Sequence, residues 1–305
     1  MVSRRDFLAA PLVTATAAMF LRAVIRPRSV KPGNVKSGGV KLGCQTNAWR
    51  IDPDNFDSLL EVLRRIKELG FDGFETGFRN VQGRFANAAA ARAQIETTGL
   101  RFLGCHIFLD QYDPQTRIAP QELIQTVAAG AASLGAERLI LSAGGLTQNG
   151  QVSQVIRMDL KNKVDGLNAA GMYCKVKGLR LAYHNHGPEF AGGGQEIELL
   201  AQLTDPELVD FLLDCGWAFQ AHADALEFFE SHHRRICGLH LRDFKNGEQV
   251  PLGQGEFPIR ALAAVIQKVN WSNWAINEEE RLSGEKPGEK AVAPARQTLK
   301  QVFGR

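Results

Sequence analysis

A short apolar run followed by a helical stretch recurs eight times in this chain, and that alternation constrains the fold more than any other feature. The apolar runs are Lys41–Thr46, Asp72–Thr76, Arg101–Ile107, Arg138–Ser142, Arg180–Asn185, Val209–Leu213, Cys237–Leu241 and Trp274–Asn277. Between them lie segments of helical periodicity. In the first, Leu59, Leu63, Ile66 and Leu69 share one face, Asp54 is the expected N-cap and Gly70 the stop. Gly99 and Gly135 close the next helices in the same way. The 265 residues from Lys41 to Arg305 give about 33 per unit (265/8), the length of one strand–helix repeat. Strands this short and apolar, flanked by helices, are buried on both faces and pair in parallel. Eight units in one chain predict an α/β fold, a single closed (β/α)8 TIM barrel. The rival, a doubly wound open sheet, lacks a G-x-G-x-x-G after its first strand.

Residues 1–40 do not belong to this pattern. They carry seven Lys/Arg and one acid, a balance of +6, whereas residues 41–305 carry 29 basic and 32 acidic groups, or −3. Ser3-Arg4-Arg5-Asp6-Phe7-Leu8 resembles the twin-arginine signal by which bacteria export folded proteins. The uncharged run Phe7–Leu21 is fifteen residues long, shorter than the ~20 a spanning helix needs. A linker rich in Pro, Gly, Ser and Lys follows. The expected organisation is a twin-arginine signal peptide and linker over 1–40 and a barrel over 41–305. It implies a periplasmic or otherwise exported location and transient contact with the export machinery. A slightly acidic body is a poor nucleic-acid binder, so no nucleic-acid partner is expected. Cys44, Cys105, Cys174, Cys215 and Cys237 are odd in number and show no framework spacing, so they read as small buried hydrophobes, not a disulfide scaffold.

In such a barrel the active site lies at the C-terminal strand ends. Those ends read Gln45 and Asn47, Glu75, His106, His184-Asn185-His186, Asp214, His240 and Asp243, and Glu278-Glu279-Glu280. One His at the end of a strand is unremarkable, but buried charges are costly unless paired or metal-bound, so this convergence points to a divalent cation. His184, Asp214, His240 and Glu278 are spaced by 30, 26 and 38 residues, one per strand on four successive strands. His186 is an alternative to His184, since both fall on the same side of an extended chain. Two imidazoles and two carboxylates suit Mn²⁺, Co²⁺, Zn²⁺ or Fe²⁺ better than Ca²⁺. Gln45, Asn47 and Asn185 are candidates for hydrogen bonds to substrate hydroxyls, and Arg242 for a substrate oxygen or for pairing with Asp243. Trp49, Phe108 and Trp217 are candidates for stacking on a ring. Pro251–Gly255 is placed to act as a lid, Gly192–Gly194 reads as a flexible connection, and Ser231–Arg235 as a solvated helix end.

The segments Leu181–His186, Leu213-Asp214, Leu239–Asp243, Pro251–Gly255 and Trp274–Glu278 resemble the xylose-isomerase-like barrel superfamily, which includes sugar phosphate isomerases and epimerases. The resemblance runs from about Lys41 to the C-terminus and implies one divalent metal held by His184, Asp214, His240 and Glu278. It further implies a ketose or keto-sugar whose α-proton is removed to give a metal-stabilised enediolate, hence an isomerase or epimerase. Family epimerases carry Glu on the fifth strand, paired with the eighth-strand Glu as acid and base. Here His184 stands in its place. Glu278 is then left as one candidate proton-transfer group, with His186, His106 or Glu75 as the second. That departure opens the alternative of a lyase or dehydratase, eliminating from a 3-keto-glycoside or an inosose. The partner in either case is a small-molecule sugar or keto-glycoside, with homo-oligomerisation left open. The superfamily's endonuclease branch needs more metal ligands and a basic groove, and a non-catalytic sugar binder has no need of the eighth-strand Glu.

Overall fold

The computed structural model describes residues 39–146, 154–281 and 283–304, so the expected signal and nearly all of the linker lie outside the described residues. Among the described residues, eight parallel strands close into a barrel. They are β1 (Lys41–Gln45), β2 (Gly73–Gly77), β3 (Arg101–Ile107), β4 (Arg138–Ser142), β5 (Arg180–His184), β6 (Val209–Asp214), β7 (Ile236–Leu241) and β10 (Trp274–Asn277), which closes on β1. The closing register pairs Cys44 with Asn277. A two-stranded antiparallel hairpin, β8 (Asp243–Lys245) and β9 (Glu248–Val250), follows β7. No helix among the described residues is long and apolar enough to cross a membrane.

Strand alternation sorts the barrel into two cores. Leu139 and Leu141, Leu181 and Tyr183, Phe211 and Leu213, and Leu239 and Leu241 point outward and pack under the helices. Leu103, Ile140, Ala182, Leu212, Cys237, Trp274 and Ile276 form a separate apolar layer in the lumen. Two residues further along four of the strands, on the same inward face, come His184 after Ala182, Asp214 after Leu212, His240 after Gly238 and Glu278 after Ile276. The plug of apolar side chains is thus the floor on which the polar strand ends stand.

Some local expectations are corrected. The helix Phe56–Glu68 is capped by Asn55 and not Asp54: the Asn55 side chain accepts from the Asp57 N–H, while Asp54 lies in the preceding turn, its N–H held by Asp52 Oδ1. Residues 251–257 are a pinned loop, not a free lid. The buried Asp243 carboxylate accepts the N–H groups of Phe244, Gly253, Gly255 and Phe257 at 2.8–3.0 Å and so does not pair with Arg242. Ser231–Arg235 is docked, with His232 Nε2 2.8 Å from Glu198 and Arg235 donating to the Ala201 carbonyl. All five cysteines are free and buried.

Gly171, in the helix Gln154–Val176, shows how tightly helices and strands meet. A Cβ there would sit 2.5 Å from the Leu208 carbonyl oxygen and 2.9 Å from its Cβ. Alanine normally gains ~1 kcal/mol over glycine inside a helix. Here backbone would have to move. Gly171→Ala is therefore expected to destabilise by about 1–3 kcal/mol, read as a lower urea midpoint; a rise in the midpoint would contradict this packing.

Candidate metal and acid–base site

Four buried side chains meet above the lumen plug. The candidate ligand atoms of His184, Asp214, His240 and Glu278 all lie within 4.8 Å of one another. Asp214 accepts the Trp217 N–H at 2.8 Å through Oδ1, which leaves Oδ2 turned into the site. Arg242, two residues past His240 and itself 1% exposed, reaches back between the carboxylates. Its Nε is 2.8 Å from Asp214 Oδ2, and its two terminal nitrogens are 2.5 Å from Glu278 Oε2 and 2.6 Å from Glu280 Oε1. Gly216 makes room for it, since a Cβ there would lie 2.2 Å from Arg242 Cγ. Trp217 backs the guanidinium at 5.2 Å. Glu278 is also met by Asn47 Nδ2 at 2.9 Å on Oε1 and by His240 Nδ1 on Oε2, so both of its oxygens are engaged.

Glu75 completes the cluster from the second strand. Its Oε2 lies 2.7 Å from His106 Nε2 and 2.7 Å from His240 Nε2. Four imidazoles are in mutual contact here, with ring centres 5.7 Å apart for His106–His184, 4.6 Å for His184–His240 and 5.0 Å for His184–His186.

The ionisation pattern follows from this packing. Burial alone would raise Glu75, but His240 and His106 hold it down at about 2. Burial would likewise raise Glu278, and Arg242 and His240 hold it well below the usual carboxylate range. Asp214 is pushed up to about 6 by burial, against the pull of Arg242. Burial disfavours the His240 imidazolium, yet Glu278 and Glu75 outweigh it and raise the group to about 10. His184 is driven well below its ordinary value by burial and by its imidazole neighbours, and His186 falls to about 4 through burial and Arg242.

These residues fit a divalent cation. His184 Nδ1, Asp214 Oδ2, His240 Nδ1 and Glu278 Oε2 are each buried without a directed hydrogen bond, although two of them stand within ion-pairing distance of Arg242. Four carboxylates (Glu75, Asp214, Glu278, Glu280) face two cations (Arg242 and protonated His240), so the cluster is short of positive charge by 4 − 2 = 2. An imidazole and two carboxylates besides His240 are ordinary ligands for first-row transition metals.

A cavity of about 330 Å³ opens beside the cluster and is lined by Gln45, Asn47, His106, His184, His186 and Glu278. Phe78, Arg79, Phe108, Ser142, Glu280 and Lys286 also line it. Of these, Phe78, Arg79 and Lys286 escaped the sequence reading, because none closes an apolar strand run, whereas Ser142 closes the fourth one and was passed over as a site residue. Several expected contact residues stand elsewhere. Asn185 is buried, and its amide is clamped to the Asp214 backbone at 2.9 and 3.1 Å. Trp217 lies behind Arg242, and Trp49 packs against the hydrophobic core; neither lines the cavity, nor does Arg242 or Glu75. Gly192–Gly194 also lie outside it.

Residues 63–302 match the protein-family model of the xylose isomerase-like TIM barrel. An inosose dehydratase of Clostridium perfringens is 31% identical over 121 residues, covering 37% of this chain and 41% of that protein. The match thus spans about two-fifths of that relative's length. An inosose dehydratase of Bacillus licheniformis is 25% identical over 252 residues, covering 74% and 82%. Among solved structures, the IOLI protein with a bound zinc atom superposes with a TM-score of 0.69 at 16% identity, over 87% of this chain and 98% of that one. A 3-keto-D-glucoside 4-epimerase from E. coli gives 0.64 at 18% identity, over 87% and 100%. Such likenesses establish the fold.

With His240 held at about 10, it is protonated at pH 7 in the metal-free protein, and a metal on its Nδ1 must displace that proton. Calorimetry in buffers of different ionisation enthalpy is expected to show about one proton released per metal, with affinity weakening as pH falls. Binding without proton release would remove His240 from the ligand set. Arg242→Met leaves Asp214 and Glu278 facing each other uncompensated; it is expected to cost ~3–5 kcal/mol in the metal-free protein, with much of the loss recovered by saturating Mn²⁺ in urea titrations.

Proposed function

We propose, from the premise that the chain belongs to the xylose isomerase-like TIM barrel family, that it is a metal-dependent carbon–oxygen lyase acting on a keto-sugar or keto-cyclitol. A divalent metal bound there would supply Lewis-acid polarisation of the substrate carbonyl, and His184, Asp214, His240 and Glu278 would hold it. Arg242 keeps Asp214 and Glu278 ionised, and Asn47 orients Glu278.

The observation that carries the reading is the asymmetry of the cavity wall. Glu278 has both oxygens engaged, and Glu280, on the same strand end, is tied to Arg242. The fifth strand offers imidazole where a second proton-transferring carboxylate would complete a matched pair. Isomerisation and epimerisation return the proton to carbon and are served by two groups of like basicity. Elimination needs a base for the α-proton and an acid for the departing β-oxygen. His106 lines the cavity and can serve both transfers in turn, taking the α-proton and returning it to the departing oxygen, beside His186, which is kept neutral. The inosose dehydratase relatives support the same outcome. The leader read in residues 1–40 would place the enzyme outside the cytoplasm, where unphosphorylated substrates are the expected class.

Proton NMR in D₂O with the metal-loaded protein and an inosose or a 3-keto-glucoside tests this. Loss of the β-oxygen with release of water or the aglycone is expected. Deuterium entering an intact sugar that yields only a stereoisomer would make the enzyme an epimerase instead. His106→Asn is expected to lower kcat by roughly 10²–10⁴-fold at unchanged metal content, whereas Glu278→Gln should lose metal as well as turnover.

A further inference from the structure

Glu75 lies on β2, 1% exposed and away from the cavity lining, yet it touches two imidazoles with different tasks. One oxygen, Oε2, stands 2.7 Å from His106 Nε2 and 2.7 Å from His240 Nε2. An ionised carboxylate only accepts hydrogen bonds. Both imidazoles therefore carry a proton on Nε2, and the lone pair that each can offer elsewhere is on Nδ1. On His240, Nδ1 faces Glu278 and has no directed hydrogen bond. On His106, Nδ1 is left for the cavity that the residue lines.

We infer that Glu75 is a positioning residue that sets two tautomers at once, presenting His240 Nδ1 to the metal and His106 Nδ1 to the substrate. His106 is thereby the group that takes the α-proton. The C–H bond breaks, the proton goes to Nδ1 and the electron pair to the enolate. As that pair re-forms the carbonyl and the C–C double bond, the β C–O bond breaks, and the departing oxygen takes the proton from Nδ1. His106 returns to its starting state, with water or an alcohol and an enone as products. While it holds the proton, the imidazolium already faces the Glu75 carboxylate. This inference deepens the elimination reading above and rests on it.

The same residues, Glu75, His106 and His240, also qualify as a second metal site by proximity. A site there would take His240 Nε2 as its ligand in place of Nδ1, and the metal stoichiometry measured below separates the two.

Two measurements on the full chain test the inference. Long-range ¹H–¹⁵N correlation on Zn²⁺-loaded protein with ¹⁵N-histidine, the signal assigned through His106→Asn, is expected to show His106 protonated at Nε2; a proton on Nδ1 overturns the assignment, and no Glu75 variant is needed. Glu75→Gln keeps the volume but removes the negative charge, leaving an amide oxygen that is a weaker acceptor for the two rings. It is expected to weaken Co²⁺ affinity ~10–100-fold and to shift the Co²⁺ d–d band, with Glu75→Asp recovering part of the affinity. Unchanged affinity and spectrum in Glu75→Gln would overturn the positioning role while leaving the metal-dependent lyase intact. Two metals per wild-type chain, falling to one in Glu75→Gln, would overturn it in favour of a second site. A wild-type chain that binds no metal would overturn the parent reading and, with it, the His240 half of this one.

Discussion

Burying Glu75, Asp214 and Glu278 around one barrel mouth, with the half-buried Glu280 beside them, is the constraint on which the rest of this structure depends. Like charges so close, and so far from water, persist only if positive charge is brought to them. Arg242 answers three of the four, and protonated His240 lies between Glu75 and Glu278. The local architecture serves that placement. Gly216 is bare because Arg242 passes over it, Trp217 supports the guanidinium, and Asn185 fixes the Asp214 backbone from the adjacent strand. A divalent cation that displaces the His240 proton would lower the remaining deficit from two charges to one.

The same arrangement shapes the chemistry. A symmetrical pair of free carboxylates would let a proton pass from one face of a carbon to the other. Here the carboxylates pair with Arg242 or with imidazoles, and the proton-transfer groups left on the cavity wall are imidazoles. Glu75 connects the two halves of the site, because its single oxygen touches both a candidate metal ligand and a candidate proton carrier. Binding and proton transfer are then coupled through one buried atom.

The eight barrel strands were legible because each is a short apolar run closed by a polar residue, and their boundaries differ from the expected ones by a residue or so. The cluster of His184, Asp214, His240 and Glu278 was legible for a related reason, since His184, Asp214 and Glu278 sit two residues beyond the inward-facing Ala182, Leu212 and Ile276, and His240 two beyond Gly238. What strand ends alone do not show is the direction of the next residue. Asn185 follows His184 and so turns to the opposite side, where it meets backbone. Arg242 read as a substrate contact because nothing in a linear pattern reveals that it folds back onto Asp214 and Glu278 from the neighbouring strands. The β8–β9 hairpin had a readable signal that the eightfold strand–helix pattern passed over. Asn246-Gly247 is a two-residue hairpin turn, and both residues take positive φ, 53° and 82°. Cavity residues such as Arg79 and Lys286 come from loops whose path no periodicity predicts.

The most direct test of the central claim is a crystal structure of Mn²⁺-loaded protein with anomalous scattering recorded at the manganese edge. The account predicts one anomalous peak per chain, bounded by His184, Asp214, His240 and Glu278, with Glu75 still hydrogen-bonded to His106 and His240. A peak at any other set of residues, or none at a metal concentration that supports turnover, would contradict it.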